Sequence, residues 1–134
     1  MKFNFTICIP TFNRGKRALN LVRYLLNDLK NDWSVLVLDN ASTEEMEFYE
    51  EIEKISKENQ QIAYLRQERN IQFYGNFKSC LMEANSKYIL IISDEDFVNF
   101  KEMNIILNEL DKIKNLGACR TSIQPHDNLL SPIN

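Results

Sequence analysis

The chain has 134 residues, a length that suits one domain with a real core, and its 44% hydrophobic and 26% charged content is ordinary for a soluble globular protein. A net charge of −3 with scattered basic residues argues against a nucleic-acid binder. No stretch approaches the roughly 18 apolar residues of a membrane helix, and the N-terminus, interrupted by Pro10, has no signal-peptide pattern.

Phe5–Ile9 predicts a first strand, stopped by Pro10. Ala18, Leu21, Val22, Leu25, Leu26 and Leu29 then recur at helical spacing. Trp33 reads as a packing residue ahead of Val35–Leu38, a short apolar run of the kind buried in parallel sheets. Ser42 with Glu45 three residues on fits a capping box, opening a helix with Met46, Tyr49, Ile52 and Ile55 inward. Ile62–Leu65 is a third strand. The polar stretch Gln67–Gly75 leads to a helix bearing Phe77, Cys80, Leu81 and Ala84. Tyr88–Ile92 reads as a strand buried on both faces. Met103, Ile106, Leu107, Leu110 and Ile113 mark another helix, ending near Asn115–Gly117, and Ala118–Ile123 has strand character. Gln124–Asn134 has little pattern, and His126, the single histidine, reads as a loop residue. The three cysteines, Cys8, Cys80 and Cys119, lack metal-ligand spacing and read as reduced, buried apolar residues.

Strict alternation of strands and helices predicts one α/β domain over residues 1–134. It is Rossmann-like, with three α/β/α layers around a mainly parallel sheet. The first strand runs into Pro10-Thr11-Phe12-Asn13-Arg14 and not a glycine-rich turn, so no dinucleotide fingerprint is present, nor is a phosphate-binding Gly-Lys-Ser/Thr loop.

Function must then come from the strand ends, which such a topology brings to one edge. They offer Thr11, Phe12, Asn13 and Arg14, then Asp39 and Asn40, then Arg66, Arg69 and Asn70, then the tetrad Ser93-Asp94-Glu95-Asp96. Phe12 can pack on a base or sugar, or merely cover the sheet edge. Asp39 can accept from an imide nitrogen or ribose hydroxyls, or simply end a strand. Arg14 and Arg69 suit phosphate, whose oxygens match the guanidinium fork, or are solvated charges. Asn76 is a ligand or a helix cap. Three adjacent carboxylates repel one another unless a cation sits among them, and a divalent ion across a diphosphate is the simplest one; the plainer reading is an acidic turn capping the next helix.

Four segments in register carry a resemblance: Ile7–Arg14, Val35–Thr43, Arg69–Phe77 and Tyr88–Asp96. Along nearly the whole chain to about Ile123 they resemble the N-terminal, donor-binding half of the family 2 glycosyltransferases. The resemblance implies a glycosyltransferase A-type fold, incomplete here because the acceptor-binding half and its carboxylate base have no counterpart. It implies a nucleotide-diphospho-sugar donor held by Pro10, Thr11, Phe12, Asn13, Arg14, Asp39, Asn40, Arg69, Asn76 and Asp94. Mn2+ or Mg2+ would be held among Asp94, Glu95 and Asp96, where the family's Asp-x-Asp motif sits. The acceptor would be a glycan, a lipid-linked sugar or a protein. The setting would be cytoplasmic, peripheral at the membrane's inner face, in surface glycan or polysaccharide synthesis, and a truncated sheet edge would favour self-association. Ser93 and Glu95 stand where the family often has Asp, and Gln72 where it often has Gly. A non-catalytic nucleotide-sugar-binding remnant, or a flavodoxin-like signalling domain with Asp39 as acceptor carboxylate, are the competing readings.

Overall fold

The structure, a computed structural model, describes residues 3–121 and, by backbone alone, 126–128 and 131–132. In the unit ending at Val98 the elements alternate: β1 (Phe3–Thr11), α1 (Gly15–Asp28), β2 (Trp33–Asp39), α2 (Met46–Glu58), β3 (Ile62–Arg66), α3 (Gln72–Glu83) and β4 (Ser86–Ile91). All pairings among these strands are parallel, in the order β3-β2-β1-β4. The chain steps outward from β1 to β3 and then returns to the far side of β1. Right-handed crossovers place α1 and α2 on one face and α3 on the other. The side chains agree. Thr11 reaches Tyr49 of α2, whereas Cys8, on the opposite pleat, clusters with Leu36, Leu38 and Cys80 of α3. This is the expected three-layer α/β fold around a parallel sheet.

The core follows from composition. Every residue of β2 is buried, as its unbroken apolar run requires between two helical layers. Phe5 and Trp33, paired in register, meet edge to face at 4.7 Å and 74° and close the amino-terminal end. Helix α1 buries Ala18, Leu21, Val22 and Leu25 along one stripe. At its start Gly15 permits close approach to α2: a Cβ there would lie 2.5 Å from the Glu45 carbonyl oxygen.

Several expectations are corrected. Pro10 lies inside β1, opposite Leu38. Its side of the strand is the one on which the Cys8 carbonyl accepts from Ile92, and pairing with β4 has run out there, so the missing N–H breaks no ladder bond. The capping box does not form. Ser42 is already engaged with Asp39 and Asn13, α2 starts without a side-chain cap, and Glu45 instead accepts from Lys16 N at 2.8 Å, capping α1. Strand β4 pairs with β1 alone among the described residues and is half-buried, because it lies at the sheet's edge. On α3, Cys80 is buried, but Phe77 and Leu81 are 38% and 50% exposed.

The unit from Asn99 onward holds α4 (Phe100–Leu110), capped by Asn99, whose side chain accepts from Glu102 N. Met103 and Leu107 are buried, but the helix stops at Leu110, short of Asn115. No strand forms over 118–121, and 122–123 lie outside the described residues. Cys119 is exposed, whereas Cys8 and Cys80 are buried as expected. His126 falls in β5 (His126–Asn128), antiparallel to β6 (Ser131–Pro132), and not in a loop. Among the described residues no helix is long and apolar enough to cross a membrane.

Candidate functional site

The strand order reverses between β1 and β4, and open parallel sheets take ligands at the carboxyl edge of such a crevice. Thr11 ends β1 there, and its hydroxyl joins three elements. Arg14 N donates to Tyr49 Oη at 3.0 Å, Tyr49 and Thr11 hydroxyls are 2.9 Å apart, and Thr11 donates to Asp94 Oδ2 at 3.1 Å. One hydroxyl proton per residue fixes the direction: Tyr49 donates to Thr11, which donates to Asp94. Burial raises Tyr49 above its ordinary value, keeping the proton on the ring oxygen.

Asp39, at the end of β2, is wholly buried. Its Oδ1 accepts from Ser42 N at 2.8 Å. Its Oδ2 accepts from Tyr64 Oη at 2.9 Å and Arg66 Nη1 at 2.6 Å. Arg66 is its register partner on β3 and also donates to the Ser42 carbonyl at 2.7 Å. Three donors occupy a carboxylate with about four acceptor positions. Burial, then the bond to Asp39, push the Tyr64 hydroxyl well above its ordinary value.

Two asparagines clamp the loops between these ends. Asn13 Oδ1 accepts from Thr43 N at 2.8 Å and Glu44 N at 3.2 Å. Asn40 accepts from Ile71 N and donates to Asn70 Oδ1. Asn13, Ala41, Glu45 and Gln72 all hold φ between 53° and 65°, a left-handed backbone that disfavours residues with a Cβ. Asn76, inside α3, donates to the Leu38 carbonyl and accepts from Gln67, tying helix to strand and not capping α3. Pro10 is half-buried, Phe12 is 41% exposed, and Arg69 is exposed with no polar partner among the described residues.

The acidic tetrad turns tightly after β4. Asp94 is buried, and Arg14 Nη1 reaches its Oδ1 at 3.3 Å. Glu95 is exposed and pairs with Arg14 at 3.5 Å and with Arg17. Asp96 Oδ2 accepts from Ser93 N at 3.0 Å. Burial raises the Asp94 carboxyl above its ordinary value, while bonds from Thr11 and Arg14 pull it back. Asp94 and Glu95 thus share Arg14, and Asp96 turns to Ser93 N. Among the described residues no group of three or more His, Cys, Asp or Glu is arranged to hold a metal. As a donor set for a divalent ion the tetrad does not fit in this arrangement.

Sequence reasoning missed Tyr49, Tyr64 and Arg17 and gave Arg66 no role. Tyr49 and Tyr64 sit at positions that read simply as apolar, and the polar tip was the overlooked signal. Arg17 lies three residues after Arg14, a helical spacing that puts both on one face.

Solved structures show which parallel α/β fold this is. S. aureus TarS 1–349 superposes with a TM-score of 0.69 at 18% identity over 97% of this chain and 43% of that one. The same protein in complex with UDP-GlcNAc gives 0.66 at 17% identity, over 88% and 37%. The mannosyltransferase PcManGT from Pyrobaculum calidifontis, in complex with GDP-Man and Mn2+, gives 0.64 at 12%, over 82% and 32%. The shared architecture is the glycosyltransferase A-type fold, and this chain spans less than half the length of each of these proteins. No curated protein sequence matches it at a significant level. The model of glycosyl transferase family 2 matches residues 6–131, and the chain belongs to that family.

Proposed function

We propose that the chain binds a nucleotide-diphospho-sugar and serves as the donor-binding part of a glycosyltransferase. The observation that carries this is the joining of Thr11, Asp94 and Arg14 at the β1/β4 crevice, in a family 2 chain. The nucleoside lies along Thr11 and Phe12, with Asp39 using its remaining acceptor position, or yielding Arg66, to accept a hydrogen bond from a base imide N–H or a ribose hydroxyl. Pro10, Asn13, Asn40 and Asn76 act chiefly by holding the loops, and Arg69 supplies an exposed donor for the sugar or phosphate. UDP-GlcNAc and GDP-Man, the ligands in the structural neighbours, are the donors to try first.

In the transfer, an acceptor hydroxyl oxygen bonds to the anomeric carbon while the bond from that carbon to the diphosphate oxygen breaks. The electron pair leaves with the nucleoside diphosphate, and the hydroxyl proton goes to a carboxylate base. Inversion of configuration, a cytoplasmic setting and surface-glycan synthesis belong to the same proposal by family membership. PcManGT is in complex with Mn2+ as well as GDP-Man, which makes a divalent cation the natural thing to add. Asp94 and Asp96, the carboxylates expected to hold it, are engaged with Arg14 and with Ser93 N and do not fit it in this arrangement.

A binding-only role is the second reading. Asp94 and Glu95 are both committed to arginines, which leaves neither placed as an acceptor base. Calorimetry with UDP, GDP and their sugars, followed by a transfer assay, separates the two. Binding without transfer supports the donor-domain role alone. Failure of Asp39→Asn to alter affinity removes Asp39 from the nucleoside subsite.

A further inference from the structure

The diphosphate of a nucleotide sugar needs cationic partners, and the tetrad's carboxylates are engaged elsewhere. We propose that Arg14 and Arg17, and not a divalent metal, are the groups that take the diphosphate, with Asp94 and Glu95 as positioning residues that hold the two guanidiniums at the crevice. The inference rests on the donor-binding reading above.

Arg14 immediately precedes α1 and Arg17 lies one turn in, and both reach Glu95. Their side chains are 49% and 56% exposed. Each reaches the acidic tetrad through Nη1, and the Nε and Nη2 groups make no hydrogen bond among the described residues. A guanidinium carries five N–H donors in a planar fork that matches phosphate oxygens, so most of that capacity is open. Asp94 is itself held by Thr11, which in turn is held by Tyr49. Arg14 is therefore anchored through a buried chain of hydrogen bonds. A divalent cation entering the tetrad would have to displace Arg14 from the buried Asp94 and lie beside two fixed positive charges. It would also have to win Asp96 from Ser93 N. Binding a diphosphate to the open N–H groups demands none of these exchanges.

The test is calorimetric titration of the 134-residue chain with UDP, GDP, ADP, CDP and dTDP, each in EDTA and in Mn2+. Whichever nucleotide binds should do so in EDTA with an affinity within about threefold of that in Mn2+. Arg14→Ala and Arg17→Ala should each weaken binding in EDTA by about tenfold, the usual scale for a charge-assisted hydrogen bond. Arg23→Gln, at an arginine farther along α1 that pairs with Glu51 of α2, is the control and should bind as the parent does. Unfolding midpoints of all variants check that each is folded. Binding seen only with Mn2+, or unaltered EDTA binding in both arginine variants, would overturn the inference and leave donor binding standing. If no nucleotide binds in either condition, the donor-binding reading itself falls.

Discussion

Asp39 is a buried charge stabilised by three donors, and the most consequential of them is Arg66. Removing one partner of a buried ion pair strands the other. Arg66 is partly solvated, however, and Tyr64 and Ser42 remain, so Arg66→Ala should lower stability by about 2–3 kcal/mol in urea titration. Asp94 gives a test with a sign. Burial holds its folded-state value above the ordinary one, so the folded chain takes up this proton more readily than the unfolded chain. Its contribution to stability therefore weakens as pH rises through the raised value and improves as pH falls towards the ordinary one. Measured from about pH 7 down to about pH 4, the unfolding free energy of wild type should gain on that of Asp94→Asn. The opposite slope would mean that Arg14 outweighs burial. Gln72 sits at φ 65°. A left-handed backbone costs about 1–2 kcal/mol for a residue with a Cβ, and the extra freedom of glycine in the unfolded chain offsets roughly half of that. Gln72→Gly should therefore stabilise the protein by about 0.5–1 kcal/mol.

Between elements, α1 lies close against the start of α2 at Gly15. A methyl group at Gly15 would sit 2.5 Å from the Glu45 carbonyl oxygen and 3.1 Å from Phe48 and Tyr49. Gly15→Ala should force the helices apart and cost about 1–3 kcal/mol, the range for overpacking, with a lower thermal midpoint. It should also weaken nucleotide binding, because Tyr49 leads to Thr11 and Asp94. The alternation that makes these elements was plain in the chain, because buried parallel strands and amphipathic helices have different periods. Edge and centre were not. Tyr88–Ile92 is as apolar as Val35–Leu38, yet β4 lies at the edge and β2 is buried throughout. Nor was the fate of Ser42 and Glu45 legible, since their partners Asn13 and Lys16 lie about thirty residues away. A local motif cannot reveal competition from distant chain.

For the unit ending at Val98 as a whole, the carboxyl edge of the sheet is where conformational and electrostatic tension collects. The strand ends named from sequence do converge there, since parallel topology leaves them no alternative. What the sequence hid was pairing: which arginine answers which carboxylate depends on strand order and crossover hand. A ligand seated at this edge binds only the folded chain. A nucleotide diphosphate at a hundred times its Kd should therefore add about 2.7 kcal/mol to stability and raise the thermal midpoint by several degrees. Because the proposed contacts are partly exposed ion pairs, that gain should shrink as salt is raised from low to molar ionic strength. A salt-independent gain would point to stacking and burial as the main source of affinity.

Asn13, Ala41, Glu45 and Gln72 share one unfavourable backbone region, and each lies in a loop after a strand's carboxyl end or where that loop meets the next helix. Breeding this protein for heat tolerance alone would therefore meet its easiest gains at the framing loops. Each relaxed position would release a shape that the ligand relies on finding ready-made. Selection for endurance and selection for grip would pull these four codons in opposite directions, and a library scored on both should show the conflict concentrated there.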